Sequence, residues 1–73
     1  MTKVMIIDDD DAICAILKDV LEIEGYDVSY SLSGEEGVQK YMEELPSVLL
    51  LDLRLPGMDG LQVLKEVISF DPD

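Results

Sequence analysis

The sequence predicts an α/β fold built on a parallel sheet. Two runs of four apolar residues, Val4–Ile7 and Val48–Leu51, are each followed directly by aspartate. The segments between and after them place apolar residues three and four positions apart, which is typical of helices with one buried face. Strands therefore alternate with helices, and this order favours parallel strands joined by right-handed crossovers.

The three predicted strands differ in expected burial. Neither Val4–Ile7 nor Val48–Leu51 alternates polar with apolar residues, so we expect both faces of each strand to be covered. The segment Asp27–Leu32 does alternate, which favours a less buried, edge-like strand.

The first predicted helix spans Ala12–Glu24, with Asp10 or Asp11 as its N-cap and Gly25 as a left-handed terminator. Its expected buried face comprises Ile13, Ile16, Leu17, Val20, Leu21 and Ile23.

A second helix opens at Ser33, which has capping-box spacing with Glu36, and ends before Pro46. A third runs over Leu61–Phe70. The expected inward residues are Val38, Tyr41, Met42 and Leu45 in the second helix, and Leu61, Leu64, Val67 and Ile68 in the third.

Composition narrows the function. The 73 residues are enough for one small domain, and the absence of histidine excludes His-based zinc sites and catalytic triads. A single cysteine, Cys14, excludes an internal disulfide and is expected to pack in the core; a reduced cytoplasm is the expected compartment.

The net charge argues against some classes of partner. Seventeen acidic and five basic residues give a net charge of −12, which disfavours binding to nucleic acid or to an acidic membrane. No apolar run is long enough to span a bilayer.

The aspartates after the strands predict a cation site. Parallel strands of one sheet end on the same side, so Asp8, Asp9 and Asp52 converge if the first and third strands are neighbours. Two carboxylates 4 Å apart repel by roughly 4 kcal/mol at an effective dielectric near 20, so such a cluster must bind a cation or keep a proton. Oxygen ligands favour Mg²⁺ or Ca²⁺, and two or three carboxylates with room for water favour Mg²⁺. A carboxylate beside Mg²⁺ can also attack phosphorus and form an aspartyl phosphate.

The motifs together resemble the receiver (CheY-like) domain of bacterial two-component response regulators. The matching pieces are Lys3–Asp10, Gly25–Val28, Ser33–Glu36, Val48–Asp52 and Leu55–Gly60. The resemblance implies that Asp52 is the phosphoacceptor, that Asp9 binds Mg²⁺ directly, that Asp8 supports the ion through water, and that Arg54 offers its backbone carbonyl.

The resemblance also implies a flavodoxin-like sheet with strand order 2-1-3, as the first three βα units of a five-unit domain. The fourth strand with its Ser/Thr, and the fifth with its Lys, would be absent from residues 1–73. A sensor histidine kinase is the implied phosphodonor, and the domain is implied to be a signalling module, not an enzyme.

Two other functions stay open. With no fourth strand, Val48–Leu51 would be a bare edge, so the chain is expected to self-associate into a homodimer as a structural fragment without phosphotransfer. A phosphohydrolase of the haloacid-dehalogenase type is suggested by Asp8-x-Asp10 after a strand, but the Thr or Val expected soon after the second aspartate and the long cap-bearing chain are missing.

Overall fold

The computed structural model describes residues 2–52 and 60–70. The predicted order of elements is confirmed: β1 (Lys3–Ile7), α1 (Asp11–Ile23), β2 (Asp27–Ser31), α2 (Gly34–Glu44), β3 (Val48–Leu51) and α3 (Gly60–Phe70). The described strands form one parallel sheet in the order β2-β1-β3, so the flavodoxin-like 2-1-3 arrangement is confirmed as well. None of the described helices is long and apolar enough to cross a membrane.

The central strand β1 separates two apolar cores. Alternate residues of a strand point to opposite faces, so β1 contributes to both sides of the sheet. The core on one face comprises Met5, Ile7, Val38, Tyr41, Val63 and Val67. The core on the other comprises Val4, Ile6, Cys14 and Val28, with Leu17, Leu21 and Tyr30 packed against it. The continuous apolar run in β1 follows from this two-sided burial.

Local signals place the helix ends as expected. The Asp10 side chain accepts a hydrogen bond from the Ile13 amide at 3.2 Å and caps α1. Gly25 follows α1 with a φ of +97°, which glycine adopts without the steric cost of a β-carbon. The Ser33 hydroxyl accepts from the Glu36 amide at 3.3 Å and caps α2.

The predicted buried faces of the helices are partly wrong. In α1 the side chain of Cys14 is buried, whereas Ile13, Ile16, Val20 and Ile23 are exposed. The buried residues of α3 include Val63 and Val67, whereas Leu61, Leu64 and Ile68 are exposed. In α2, Met42 and Leu45 are exposed, and Leu45 is the left-handed cap residue at the end of the helix. Both α1 and α3 have apolar residues on more than one side, so spacing alone cannot select the side that meets the sheet.

The hydroxyl of Ser31 is a buried polar group without a hydrogen-bond partner in the described part of the chain. The residue is 1% exposed at the end of β2. An unpaired buried hydroxyl lowers stability, so Ser31→Ala is expected to raise the free energy of unfolding by about 1 kcal/mol.

Ser29 in the same strand provides the matched control for Ser31→Ala in urea unfolding. Its hydroxyl donates to a Glu44 carboxylate oxygen at 2.8 Å, so Ser29→Ala should lower stability. Equal effects of the two substitutions would contradict this account of Ser31.

Candidate functional site

Three carboxylates meet at the carboxyl edge of the sheet. Asp8 and Asp9 follow β1, and Asp52 follows β3. One carboxylate oxygen from each lies within 4.8 Å of those of the other two. Asp8 and Asp52 are half-buried and Asp9 is exposed, so the cluster is open to solvent on one side. The predicted convergence of the three residues is confirmed.

Backbone hydrogen bonds hold these residues in place beyond the strand ends. The Asp52 amide donates to the Ile7 carbonyl at 2.9 Å, which continues the ladder between β3 and β1. The Asp8 amide donates to the Ser31 carbonyl at 3.1 Å, which continues the ladder between β1 and β2. The two strand ends are therefore fixed to the sheet, and the cluster is built on rigid elements.

The four consecutive aspartates have different roles. A carboxylate oxygen of Asp8 accepts a hydrogen bond from the Asp10 amide at 2.9 Å, which orients the Asp8 side chain. The carboxylates of Asp8 and Asp9 belong to the cluster, whereas Asp10 caps α1. Asp11 lies in the first turn of α1 and accepts a hydrogen bond from the Tyr30 hydroxyl at 3.1 Å. The sequence predicted the cap but not the contact between Tyr30 and Asp11.

The cluster opens into a cavity of about 320 Å³. Its polar wall is formed by the aspartates, and its apolar wall includes Ile6, Ile13, Leu17, Leu50 and Leu51. An apolar wall beside clustered charges lowers the local dielectric and strengthens their interaction with a bound cation. The volume leaves room for water or a small anionic group beside the carboxylates.

The donor set fits a small divalent cation. Hard oxygen ligands surround Mg²⁺ at about 2.0–2.1 Å, so two ligand atoms on opposite sides of the ion are about 4.2 Å apart. Carboxylate oxygens within 4.8 Å of one another come close to that spacing. Two described lysines are engaged elsewhere: Lys18 pairs with Glu22 at 2.9 Å, and Lys40 donates to the Tyr30 carbonyl at 3.0 Å.

Comparison with known proteins assigns the family. The sequence pattern of the response regulator receiver domain matches residues 4–73. The chain belongs to the response regulator receiver domain family. The predicted family is thereby confirmed, and receiver domains are signalling modules of two-component systems.

Solved receiver structures share this fold closely. A CheY-like receiver domain protein from Methanospirillum hungatei JF-1 is 35% identical with a TM-score of 0.95, over 99% of this chain and 58% of that chain. A receiver domain protein from Clostridium thermocellum is 30% identical with a TM-score of 0.91, over 99% of this chain and 59% of that chain. A chain in the structure of histidine kinase ThkA in complex with response regulator protein TrrA is 32% identical with a TM-score of 0.92, over 100% of this chain and 63% of that chain. The 73 residues thus span about three-fifths of the length of these relatives.

Two further predictions concern Arg54 and Gly60, which follow β3 in the sequence. Arg54, whose backbone carbonyl the receiver resemblance assigns to the metal, lies outside the described residues. Gly60, expected before the third helix, is buried and is the first residue of α3.

Cys14 lies beside the receiver's acidic cluster without joining it. Its side chain is fully buried, and its thiol donates to the Asp8 backbone carbonyl at 3.5 Å. Burial raises the pKa of the Cys14 thiol, and the negative charge of Asp8 raises it further. The thiol is therefore protonated at neutral pH and acts as a packing group, as predicted.

The hydrogen bond between Tyr30 and Asp11 gives the receiver a measurable pH response. Asp11 accepts a hydrogen bond from the Tyr30 hydroxyl, and this bond, together with the negative charge of Asp11, raises the pKa of Tyr30 above its usual value. A pKa raised on folding stabilises the fold below the unfolded pKa, and the contribution is lost as the pH rises through the folded pKa. We expect Asp11→Ala to lower the pKa of Tyr30, measured by the ultraviolet absorbance of tyrosinate during alkaline titration. An unchanged Tyr30 titration would show that the hydrogen bond does not form in solution.

Proposed function

We propose that this receiver domain accepts a phosphoryl group on Asp52, with Mg²⁺ held by Asp8, Asp9, Asp52 and the backbone carbonyl of Arg54. The observation that supports the proposal is the meeting of three carboxylates within 4.8 Å at the carboxyl ends of two neighbouring strands. This is where open α/β sheets bind their ligands. Under this proposal, residues 1–73 correspond to the first three βα units of a receiver domain.

The proposed reaction is a phosphoryl transfer in which Asp52 is the nucleophile. A carboxylate oxygen of Asp52 forms a bond to phosphorus, and the bond from phosphorus to the donor breaks, so the donor leaves with the electron pair. When bound, Mg²⁺ neutralises charge on the phosphoryl oxygens. Asp8 and Asp9 would hold the ion, and the hydrogen bond from the Asp52 amide to the Ile7 carbonyl fixes the nucleophile to the sheet. No further catalytic residue is proposed, because the three carboxylates of the receiver form the proposed site.

The proposed phosphodonor is a sensor histidine kinase or a small acyl phosphate. A matching chain occurs in the structure of histidine kinase ThkA in complex with response regulator protein TrrA, and this supports a kinase partner for the present receiver. A cytoplasmic location is proposed on the same grounds and on the free thiol of Cys14.

Incubation with acetyl phosphate and Mg²⁺, followed by intact-mass spectrometry, tests the proposal. The unmodified chain is expected to gain one phosphoryl group, and Asp52→Asn is expected to gain none. Asp27→Asn makes the same change in charge at the amino end of β2, so this control should be labelled as the unmodified chain is. Labelling that survives in Asp52→Asn, or no labelling of any variant, would contradict the proposal for this chain.

A further inference from the structure

Asp10 links helix α1 to the acidic cluster. Its backbone amide donates a hydrogen bond to Oδ1 of Asp8 at 2.9 Å. Its side chain caps α1 by accepting from the Ile13 amide at 3.2 Å, and its carbonyl accepts from the Cys14 amide at 3.0 Å. One residue is therefore bonded both to a member of the cluster and to the first turn of the helix.

The direction of the Asp10 amide depends on the cap. Asp10 has a φ of −90° and a ψ of 102°, the extended conformation in which an N-cap side chain folds back onto its helix. Rotation about φ turns the amide relative to the helix, so the N–H points at Asp8 only while this conformation persists. Without an acceptor oxygen on residue 10, the Ile13 amide loses its partner and the helix end frays.

Two further contacts hold the backbone of Asp8. Its amide donates to the Ser31 carbonyl at 3.1 Å, and its carbonyl accepts from the buried Cys14 thiol at 3.5 Å. Neither contact restrains rotation of the Asp8 side chain. The Asp10 amide does, because a charge-assisted hydrogen bond to one carboxylate oxygen also fixes where the other oxygen points. All these contacts lie within residues 8–14 and the neighbouring strand β2, so they depend on no later part of the chain.

We propose that Asp10 is a positioning residue of the metal site: its cap on α1 fixes the amide that orients the Asp8 carboxylate within the cluster. The inference rests on the proposed function, in which Asp8, Asp9 and Asp52 hold Mg²⁺. In the described part of the chain, carboxylate oxygens of those three residues lie within 4.8 Å of one another, and Asp10 is not in the group. Asp10 thus acts through Asp8, in the way that outer partners orient the ligands of a metal.

Two simpler roles for Asp10 predict different results. Asp10 borders the cavity beside the cluster, so one alternative is that its negative charge alone draws the cation. The other is an ordinary cap, which stabilises the fold without affecting the metal site. Asp10→Asn keeps a side-chain oxygen that can cap a helix but removes the charge, whereas Asp10→Ala removes both. Comparing these two variants therefore separates the cap from the charge.

Titration with Mg²⁺, followed by calorimetry, measures the effect of the cap on the site. Both variants lose the charge of Asp10 and should bind Mg²⁺ more weakly than the unmodified chain. Asp10→Ala should bind about tenfold more weakly than Asp10→Asn, at the lower end of the effects of outer partners, because both hydrogen bonds of Asp10 are exposed to water. Equal affinities of the two variants overturn the proposal and leave the charge as the explanation.

Ser33→Ala is the matched control for the loss of a helix cap. The Ser33 hydroxyl caps α2 by accepting from the Glu36 amide at 3.3 Å, and α2 follows β2 as α1 follows β1. Ser33→Ala should lower the urea midpoint as Asp10→Ala does, yet bind Mg²⁺ with the affinity of the unmodified chain. An equal fall in Mg²⁺ affinity in Ser33→Ala would show a general effect of stability and overturn the positioning role.

Hydrogen exchange of the residue-10 amide, measured without metal, tests the link to Asp8 directly. After correction for intrinsic rates, this amide should exchange slowly in the unmodified chain and in Asp10→Asn, and faster in Asp10→Ala. Asp8→Ala removes the acceptor, so it should speed exchange at residue 10 while the Ile13 amide stays protected by the cap. An unmodified chain that binds no Mg²⁺ contradicts the proposed function. A chain that binds Mg²⁺ but shows no faster exchange in Asp10→Ala overturns the role of the cap alone.

Discussion

Asp9→Asn is expected to weaken Mg²⁺ binding by roughly a hundredfold or more if Asp9 is the direct ligand proposed above, because the loss of outer groups around a metal already costs 10–100-fold. The same substitution removes one negative charge from a cluster whose oxygens lie within 4.8 Å. Without metal it should therefore raise the free energy of unfolding slightly, by about 0.5 kcal/mol at this exposed position. Thermal unfolding with Mg²⁺ and with a chelator measures both effects.

Asp9→Asn is thus expected to raise stability without metal and to remove the stabilisation by Mg²⁺. These opposite effects distinguish a metal site from an ordinary helix start. Mg²⁺ at a hundred times its dissociation constant should stabilise the unmodified receiver by about 2.7 kcal/mol, and Asp9→Asn should lose that gain. Asp27→Asn changes the net charge equally at the far end of the sheet and should keep the full Mg²⁺ effect. Equal responses of the two variants to Mg²⁺ would show non-specific screening instead of a site.

Ile7→Ala is expected to cost about 2–5 kcal/mol, because the Ile7 side chain is fully buried in the core between β1 and α2. A domain of 73 residues has a total stability of about 4–11 kcal/mol. The substitution thus removes a large share of the stability, and urea unfolding by circular dichroism should show a much lower midpoint.

The packing around Ile7 is tightly constrained because the Ile7 side chain lies directly against Gly37 of α2. A β-carbon added at Gly37 would lie 2.5 Å from Cδ1 and 2.7 Å from Cγ1 of Ile7. Gly37→Ala alone should therefore be destabilising by about 1–2 kcal/mol, since overpacking outweighs the helix propensity of alanine. In the Ile7→Ala background those atoms are gone, and the same change should be stabilising by about 1 kcal/mol. Additive effects in the double-mutant cycle would contradict the contact between Ile7 and Gly37.

The strands and the acidic cluster could be predicted from the sequence because each depends on a simple rule. A run of apolar residues such as Val4–Ile7 is compatible with a strand buried on both faces, and β1 is such a strand. The carboxyl ends of parallel strands lie at the same edge of a sheet. Since β1 and β3 are neighbours in the order 2-1-3, the residues that follow them, Asp8, Asp9 and Asp52, lie close together.

The helix faces could not be predicted so well, because packing and not periodicity selects them. In α3 the buried residue Val63 is followed directly by Leu64, which is equally apolar, so the pattern did not distinguish Val63 from Leu64. Long-range polar contacts were also missed. Glu44 of α2 accepts a hydrogen bond from the Ser29 hydroxyl, and no local signal links residues so far apart in sequence.

Mg²⁺ titration of the isotopically labelled chain, followed through its backbone amide resonances, is the most direct test that three carboxylates share one ion. We expect saturable shifts concentrated at Asp8, Asp9 and Asp52, with the resonance of Asp27 nearly unchanged. Weak, non-saturating shifts spread evenly over the acidic residues would contradict a shared metal site, and the phosphoacceptor proposal with it.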